Sequence, residues 1–266
     1  NETITCKGTW DTLSPPARCW IAPNGSHGPL DISGAIEHSC NYFFYEVGYR
    51  LSRNNGVYDS DTGLEKLAYY ADQFGLSDKS GVEISESAPK VSDFDAIRSA
   101  IGQGTNNYST VGLARYVTTV ANSGNCYNLS LLSKATDADG NLIADYTPTL
   151  RNTVDLKQST WDAIHQGMRK VVEDKDYYKD LTIQVAGKTG TAQENRKRAN
   201  HALFVCYAPY EQPQIAIATR IAFGYASDYA AQVTKDIVKY YFKLEDESSL
   251  ITGTAESTNV VQSAGD

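Results

Sequence analysis

The strongest constraint on this chain is a change of hydrophobic period in its last third. Residues 181–186, 202–208 and 214–221 are short apolar or alternating runs rich in β-branched side chains. Polar connections over 194–200 and 210–213 separate them. Connections this short join neighbouring antiparallel strands, because a parallel crossover needs a dozen residues or more. The runs therefore predict a three-stranded antiparallel meander. Upstream the period is helical. Ile32, Ala35 and Ile36 share one face, and an aromatic segment follows over 42–51. Leu64, Leu67, Ala68, Ala71 and Phe74 come next and stop at Gly75. Residues 111–122 stop at Gly124, and 160–172 turn Trp161, Ile164, Met168 and Val171 inward. A last helix carries Ala231, Val233, Ile237, Val238 and Tyr241. Helices, then strands, then a helix make an α+β chain, not alternating βαβ units.

Local signals refine this outline. Ser39 reads as the N-cap of the helix over 42–51, and Thr62-Gly63-Leu64-Glu65 as a capping box. Residues 1–30 and 76–109 are rich in turn formers and read as irregular. From Leu244 onward the chain holds Glu245, Asp246, Glu247, Glu256 and Asp266 and no basic residue. The expectation is one domain over 1–243 and a disordered acidic tail over 244–266. A net charge of −8 argues against nucleic acid or an anionic membrane surface as a partner. No apolar run is long enough to span a bilayer, and the first seven residues do not resemble a signal peptide.

The five cysteines form no CxxC pair. Cys6 and Cys19 bracket a short Pro-containing loop, and whether they are bridged stays open. Cys206 lies in an apolar run and reads as a buried, inert thiol. His27, His38, His165 and His201 show no metal-ligand spacing, so neither metal nor cofactor is expected.

The stretch Ala186-Gly187-Lys188-Thr189-Gly190-Thr191-Ala192-Gln193 is the one most suggestive of chemistry. Its two glycines would let another backbone approach. Lys188 supplies positive charge, and Thr189 and Thr191 lie two apart, on one face of a strand. A cationic, hydroxyl-lined strand edge suits an extended peptide bearing a carboxylate. A surface hairpin with a solvated lysine fits the composition equally well.

Gly187-Lys188-Thr189-Gly190 resembles the KTG motif of penicillin-binding proteins and serine β-lactamases, and Ser39-Cys40-Asn41 resembles their SxN motif. Gly25-Ser26-His27-Gly28 and the block Ser99-Ala100-Ile101-Gly102-Gln103-Gly104 are similar to the flanking pattern of high-molecular-weight class B transpeptidases. The similarity runs from about residue 6 to residue 243. It implies a partial transpeptidase fold, a peptidoglycan stem peptide as substrate and β-lactam antibiotics as mimics of it. By that resemblance Ser39 relays a proton near the leaving group, and Lys188 sets the site's potential and touches Ser39. Asn41 bonds the substrate amide. Thr189, Gly190 and Thr191 line the substrate strand, with the two threonines holding the carboxylate and the Thr191 N–H forming half of an oxyanion hole.

The family's nucleophilic SxxK motif precedes SxN, yet nothing before Ser39 matches it. The single such string, Ser87-Ala88-Pro89-Lys90, follows SxN and contains a proline hostile to a helix. The resemblance thus implies the C-terminal portion of a transpeptidase domain, inactive alone. The missing N-terminal portion would be its partner, and any membrane anchor would lie upstream. Three strands without their partners should leave an inner face and one edge open. A β-lactam sensor or a non-catalytic peptidoglycan-binding domain is the alternative. Arg196-Lys197-Arg198 reads as a solvated hairpin loop.

Overall fold

The computed structural model describes residues 2–194 and 197–250. In chain order its helices are α1 (Ile32–Glu37), α2 (Asn41–Leu51), α3 (Ser60–Gln73), α4 (Ala96–Ser99), α5 (Thr110–Ala121), α6 (Gln158–Glu173), α7 (Ser227–Tyr241) and α8 (Glu247–Leu250). The strands that matter for the site are β1 (Ile4–Cys6), β2 (Gly28–Leu30), β3 (Ala186–Ala192), β4 (His201–Ala208) and β5 (Ile215–Ile221). The backbone divides into two compact units. The first comprises Asn1–Thr9, Arg18–Cys40 and Ala163–Asp266, and the second Trp10–Ala17 and Asn41–Asp162.

In the first unit, β3, β4 and β5 form the expected antiparallel meander in that order. Its first strand lies further along than the apolar run suggested: β3 is the Gly-Lys-Thr-Gly stretch itself, paired Thr189↔Phe204 and Gly187↔Cys206. Residues 181–185 are outside regular structure, with Val185 buried against the sheet. Ala202, Phe204, Cys206 and Ala208 alternate along β4 and are fully buried on one face. They pack on Ala230, Ala231 and Val238 of α7, and the Tyr178 hydroxyl donates to Ala231 O at 2.8 Å. Truncating Phe204 to alanine there would cost roughly 3–5 kcal/mol.

The inner face is therefore not bare: α7 covers it. On the opposite face, Tyr207 meets His165 Nδ1 of α6 at 2.5 Å. The outer edge of β5 has no further strand among the described residues. The inward face of α7 is set by small residues, Ser227, Ala230, Ala231 and Thr234, with Val238. Val233, Ile237 and Tyr241, expected inside in part, are exposed, and with Tyr229 and Tyr240 they form an outward apolar stripe. Helical periodicity cannot say which of two apolar faces is the covered one. Residues 247–250 of the expected disordered tail are helical, and 251–266 lie outside the described residues.

α1 and the first-unit part of α6 approach closely because Gly167 carries no side chain. A Cβ there would fall 2.8 Å from Ile36 Cβ and 2.9 Å from Ser33 O. Ser33 Oγ donates to Ala163 O at 2.8 Å, and Asp31 caps α1 by accepting from Gly34 N. α1 is thus fixed at its start and along its side.

In the second unit, Trp10, Tyr45 and Ile97 form a core around which α2 and α4 pack. α3 starts earlier than the capping-box pattern suggested. Asp59 is its N-cap and also accepts from Thr62 Oγ1 at 2.6 Å, so Thr62 already lies inside the helix. Gly75 takes φ +73° just beyond the end of α3, as expected of a glycine stop. At the end of α5 both Ser123, at φ +57°, and Gly124, at φ +115°, have positive φ. Packing requires Gly124 as well: a Cβ would lie 2.6 Å from Val154 O. Ser87-Ala88-Pro89-Lys90 is outside any helix, and Lys90 pairs with Asp93 at 3.1 Å.

Candidate active site

The site begins at the turn that ends α1. His38 is the C-cap, Ser39 N donates to Ile36 O at 3.2 Å, and Cys40 N donates to Ala35 O at 3.0 Å. This bond pair is the Schellman helix stop, whose left-handed position is usually glycine. Here it is Ser39, at φ +48°. A left-handed backbone costs a side-chain-bearing residue about 1 kcal/mol or more. Ser39 therefore does not cap α2, since a cap needs extended backbone and Cys40 intervenes before α2 begins at Asn41. The serine's cost makes sense if its hydroxyl is wanted where the turn puts it.

That hydroxyl accepts a hydrogen bond from Lys188 Nζ, on β3. The ammonium also lies 3.2 Å from Thr189 O and 3.4 Å from Thr189 Oγ1. Ser39, Lys188, Thr189, Gly190 and Thr191 all belong to the first unit, and each is half-buried. Asn41 follows Ser39 by two residues, as the first residue of α2 in the second unit.

The two glycines of β3 differ. A Cβ on Gly187 would collide with the Phe204 ring and lie 2.9 Å from Val205 O. Gly187 is therefore demanded by the sheet's own packing, not by an approaching ligand. Gly190 has room, with Leu203 Cβ nearest at 3.4 Å. Only Gly190 keeps the reading of a backbone left bare for something outside the chain. β3 is also an edge strand, pairing only with β4 among the described residues. A hydroxyl bonded to an ammonium beside an open strand edge can pass a proton and hold an extended, anionic peptide.

Sequence reasoning missed His201. It faces Ala192 across the sheet and is 8% exposed. Its Nδ1 accepts from Phe223 N at 3.1 Å, so Nε2 carries the proton and donates to Glu194 Oε2 at 3.1 Å. It ties the far end of β3 to the loop after β5. Nothing in the sequence marks it beyond a histidine opening an apolar run. Next to it, Lys197 and Arg198 are exposed as expected, with Arg198 over the Phe223 ring at 5.3 Å, while Arg196 lies outside the described residues.

Cys40 is fully buried and is a packing residue, not an exposed nucleophile. All five cysteines are buried thiols, so Cys6 and Cys19 are not bridged. A cavity of about 430 Å³ in the second unit, lined by Trp10, Tyr58, Leu64 and Phe94, contains none of the expected site residues. Among the described residues no helix is long and apolar enough to cross a membrane.

Residues 1–239 match the family described as penicillin binding protein transpeptidase domain. The chain is 25% identical over 274 residues to penicillin-binding protein 2B of Streptococcus pneumoniae, covering 91% of this chain and 40% of that protein. It is 28% identical over 279 residues to peptidoglycan D,D-transpeptidase MrdA of Haemophilus influenzae, covering 91% and 41%. It thus spans about two-fifths of the curated relatives it matches. The solved structure of S. pneumoniae penicillin-binding protein 2B superimposes with a TM-score of 0.78 at 24% identity, over 92% of this chain and 44% of that one. Penicillin-binding protein A of M. tuberculosis, an imipenem acyl-enzyme complex, gives 0.76 at 20% identity, over 91% and 55%.

Proposed function

Because the chain belongs to the penicillin-binding protein transpeptidase family, we propose that it is the C-terminal part of a peptidoglycan D,D-transpeptidase that cross-links stem peptides through a serine acyl-enzyme. The observation that carries the reading is the hydrogen bond between Lys188 and Ser39, 149 residues apart. It joins the two motifs that in this family form two walls of one site.

In the proposed reaction the nucleophilic serine comes from the N-terminal portion of the same domain. It attacks the penultimate D-Ala carbonyl of a stem peptide, and the terminal D-Ala leaves as its amine is protonated. Ser39 relays that proton, and the Lys188 ammonium makes the hydroxyl a better donor. Thr189 and Thr191 hold the terminal carboxylate, with the Lys188 charge beside them. Asn41 bonds the substrate amide. The Thr191 N–H is half of the oxyanion hole, a contribution worth roughly 10²–10³ in rate. Gly190 lets the peptide lie along the open edge of β3. An amine of a second stem peptide then resolves the acyl-enzyme. β-Lactams acylate the same serine as mimics of the D-Ala-D-Ala end. No cofactor is required.

The missing N-terminal portion is the first partner. The unpaired edge of β5 and the apolar stripe of α7 are the surfaces it would cover. The full protein would work at the extracytoplasmic face of a bacterial membrane, anchored upstream of this chain. A β-lactam sensor of the same fold is the second reading. An added stem-peptide amine distinguishes the two, because only a transpeptidase passes the acyl group to it.

The test is intact-protein mass after mixing with labelled penicillin. The complete protein should gain one covalent adduct, and this chain alone none. An adduct on this chain alone would sink the claim that its nucleophile lies elsewhere.

A further inference from the structure

The cavity of about 430 Å³ in the second unit contains none of the residues used in the proposed reaction, yet it has the size of a small-molecule site. Its walls come from the 10–17 segment, the start of α3 and the 93–98 segment, all within that unit. Its floor is apolar: Trp10, Leu64 and Ile97 are 1%, 9% and 6% exposed. The indole N–H of Trp10 is taken by Glu46 Oε2 at 3.1 Å, so the ring offers the cavity no free donor.

The polar part of the lining is acidic. Asp61, Asp93 and Asp95 stand against one guanidinium, Arg98. Arg98 is bound to Asp95 at 2.7 Å, and Asp93 to Lys90 at 3.1 Å. Asp61, exposed on the first turn of α3, makes no ion pair among the described residues. Counting Lys90, which is outside the lining, still leaves the carboxylate of Asp61 without a compensating charge.

Phe94 is what packing leaves unexplained. It lines the cavity while 66% exposed, so its ring stands at the solvent edge. Its backbone is nevertheless fixed: Phe94 O accepts from Ser99 Oγ at 3.0 Å and from Ser92 Oγ at 3.2 Å. Gly104 makes room for both serines, since a Cβ there would lie 2.5 Å from Ser92 Oγ and 2.7 Å from Ser99 Oγ. The chain thus holds a large apolar ring in water and forgoes the stabilisation that burying it would contribute. An aromatic face beside an uncompensated carboxylate attracts a cation, through the ring quadrupole and by Coulomb attraction. The same carboxylate repels an anion.

We propose that this cavity binds a small organic ammonium ion, an apolar chain or ring carrying one primary amine. The apolar body lies on Trp10, Leu64 and Ile97. The ammonium meets the Asp61 carboxylate and the face of Phe94. Binding is non-covalent and exchanges water at the cavity for the ligand. The inference does not depend on the transpeptidase reading.

The experiment is calorimetric titration of the complete protein, at neutral pH and low salt, with phenethylamine, phenethyl alcohol and phenylacetate. The three share a body and differ in charge. The amine should bind at one site, about tenfold tighter than the alcohol, with the carboxylate weakest. Added salt should shrink the amine's advantage. Asp61→Asn should weaken the amine roughly threefold and leave the alcohol unchanged. Phe94→Ser should weaken the amine roughly tenfold. Both side chains are exposed, so both variants should melt like the unsubstituted protein. Should Phe94→Ser not fold, the ranking of the three ligands and the Asp61→Asn comparison decide. Equal binding of amine and alcohol overturns the proposal, and so does the absence of saturable amine binding. Amine binding untouched by either substitution overturns it by placing the ligand elsewhere. A dimer in sedimentation velocity that Phe94→Ser dissolves would assign the face to a second copy of the chain, and overturns it as well.

Discussion

Ser39 occupies the left-handed stop of α1 and there accepts a hydrogen bond from Lys188 Nζ of β3. A glycine would fit that backbone more cheaply, so the turn and the hydroxyl pull in opposite directions. Ser39→Gly should therefore raise stability by about 0.5–1 kcal/mol in the complete protein, by relieving the left-handed strain. The same variant should slow acylation by labelled penicillin roughly 10²-fold, through loss of the proton relay. Thermal melts and acylation rates read the two effects separately.

Lys188→Ala should slow acylation by a similar factor, roughly 10²-fold. If the two side chains act as one device, Ser39→Gly/Lys188→Ala should be little slower than either single variant. Fully multiplicative losses would mean that the bond between them contributes nothing to the chemistry.

The glycines of β3 should separate packing from function. Gly187→Ala pushes a methyl into Phe204 and Val205 O and should cost about 1–3 kcal/mol in denaturant unfolding. Gly190→Ala meets only ordinary contact with Leu203 and should fold nearly unchanged. Its acylation should nevertheless be slower, because the methyl stands on the edge offered to the peptide. Equal stability losses for both would count against this division.

Arg115 is a fully buried cation that donates to Gly75 O, to Lys79 O at 3.0 Å and to Asp78 O and Oδ1 at 2.8 and 2.6 Å. It holds the loop after α3 onto α5. Arg115→Met removes four bonds and leaves the carbonyl of buried Gly75 without that donor, and should cost about 3 kcal/mol. Acylation at a temperature where the variant is folded should be unaffected, since the bonds that Arg115 makes go to the loop after α3 and not to residues of the candidate site.

Burial raises the Glu86 carboxyl pKa, but hydrogen bonds from Ser109 and from Ser80 outweigh it and hold the value below the ordinary glutamate range. A depressed folded-state pKa contributes stability above the unfolded value. That contribution is lost as pH falls through the folded value. Glu86→Gln should cost about 1–2 kcal/mol at neutral pH and less in acid. Denaturant unfolding of both forms across that range should show their stabilities converging below about pH 4. A gap constant with pH would exclude ionisation as its source.

Much of the fold was legible in the sequence. Three closely spaced apolar runs can only pair as neighbours, so the meander followed from connection length. Caps and strand limits were less legible. Asp59 and Thr62 are both good caps in isolation, and the helix uses Asp59, whose side chain accepts from Asp61 N. The β3 register slid onto the Gly-Lys-Thr-Gly stretch because the Phe204 ring, paired with Thr189, reaches diagonally over Gly187, where a side chain would not fit.

By itself the sequence determined the α+β order, the family and the two motifs, because those are properties of local period and of residue strings. Tertiary structure alone decided that Ser39 sits in a left-handed turn under Lys188 and that α7 turns its small residues inward and its tyrosines out. Each depends on distances between segments far apart in the chain. No local pattern records those distances, and close packing of the whole unit fixes them.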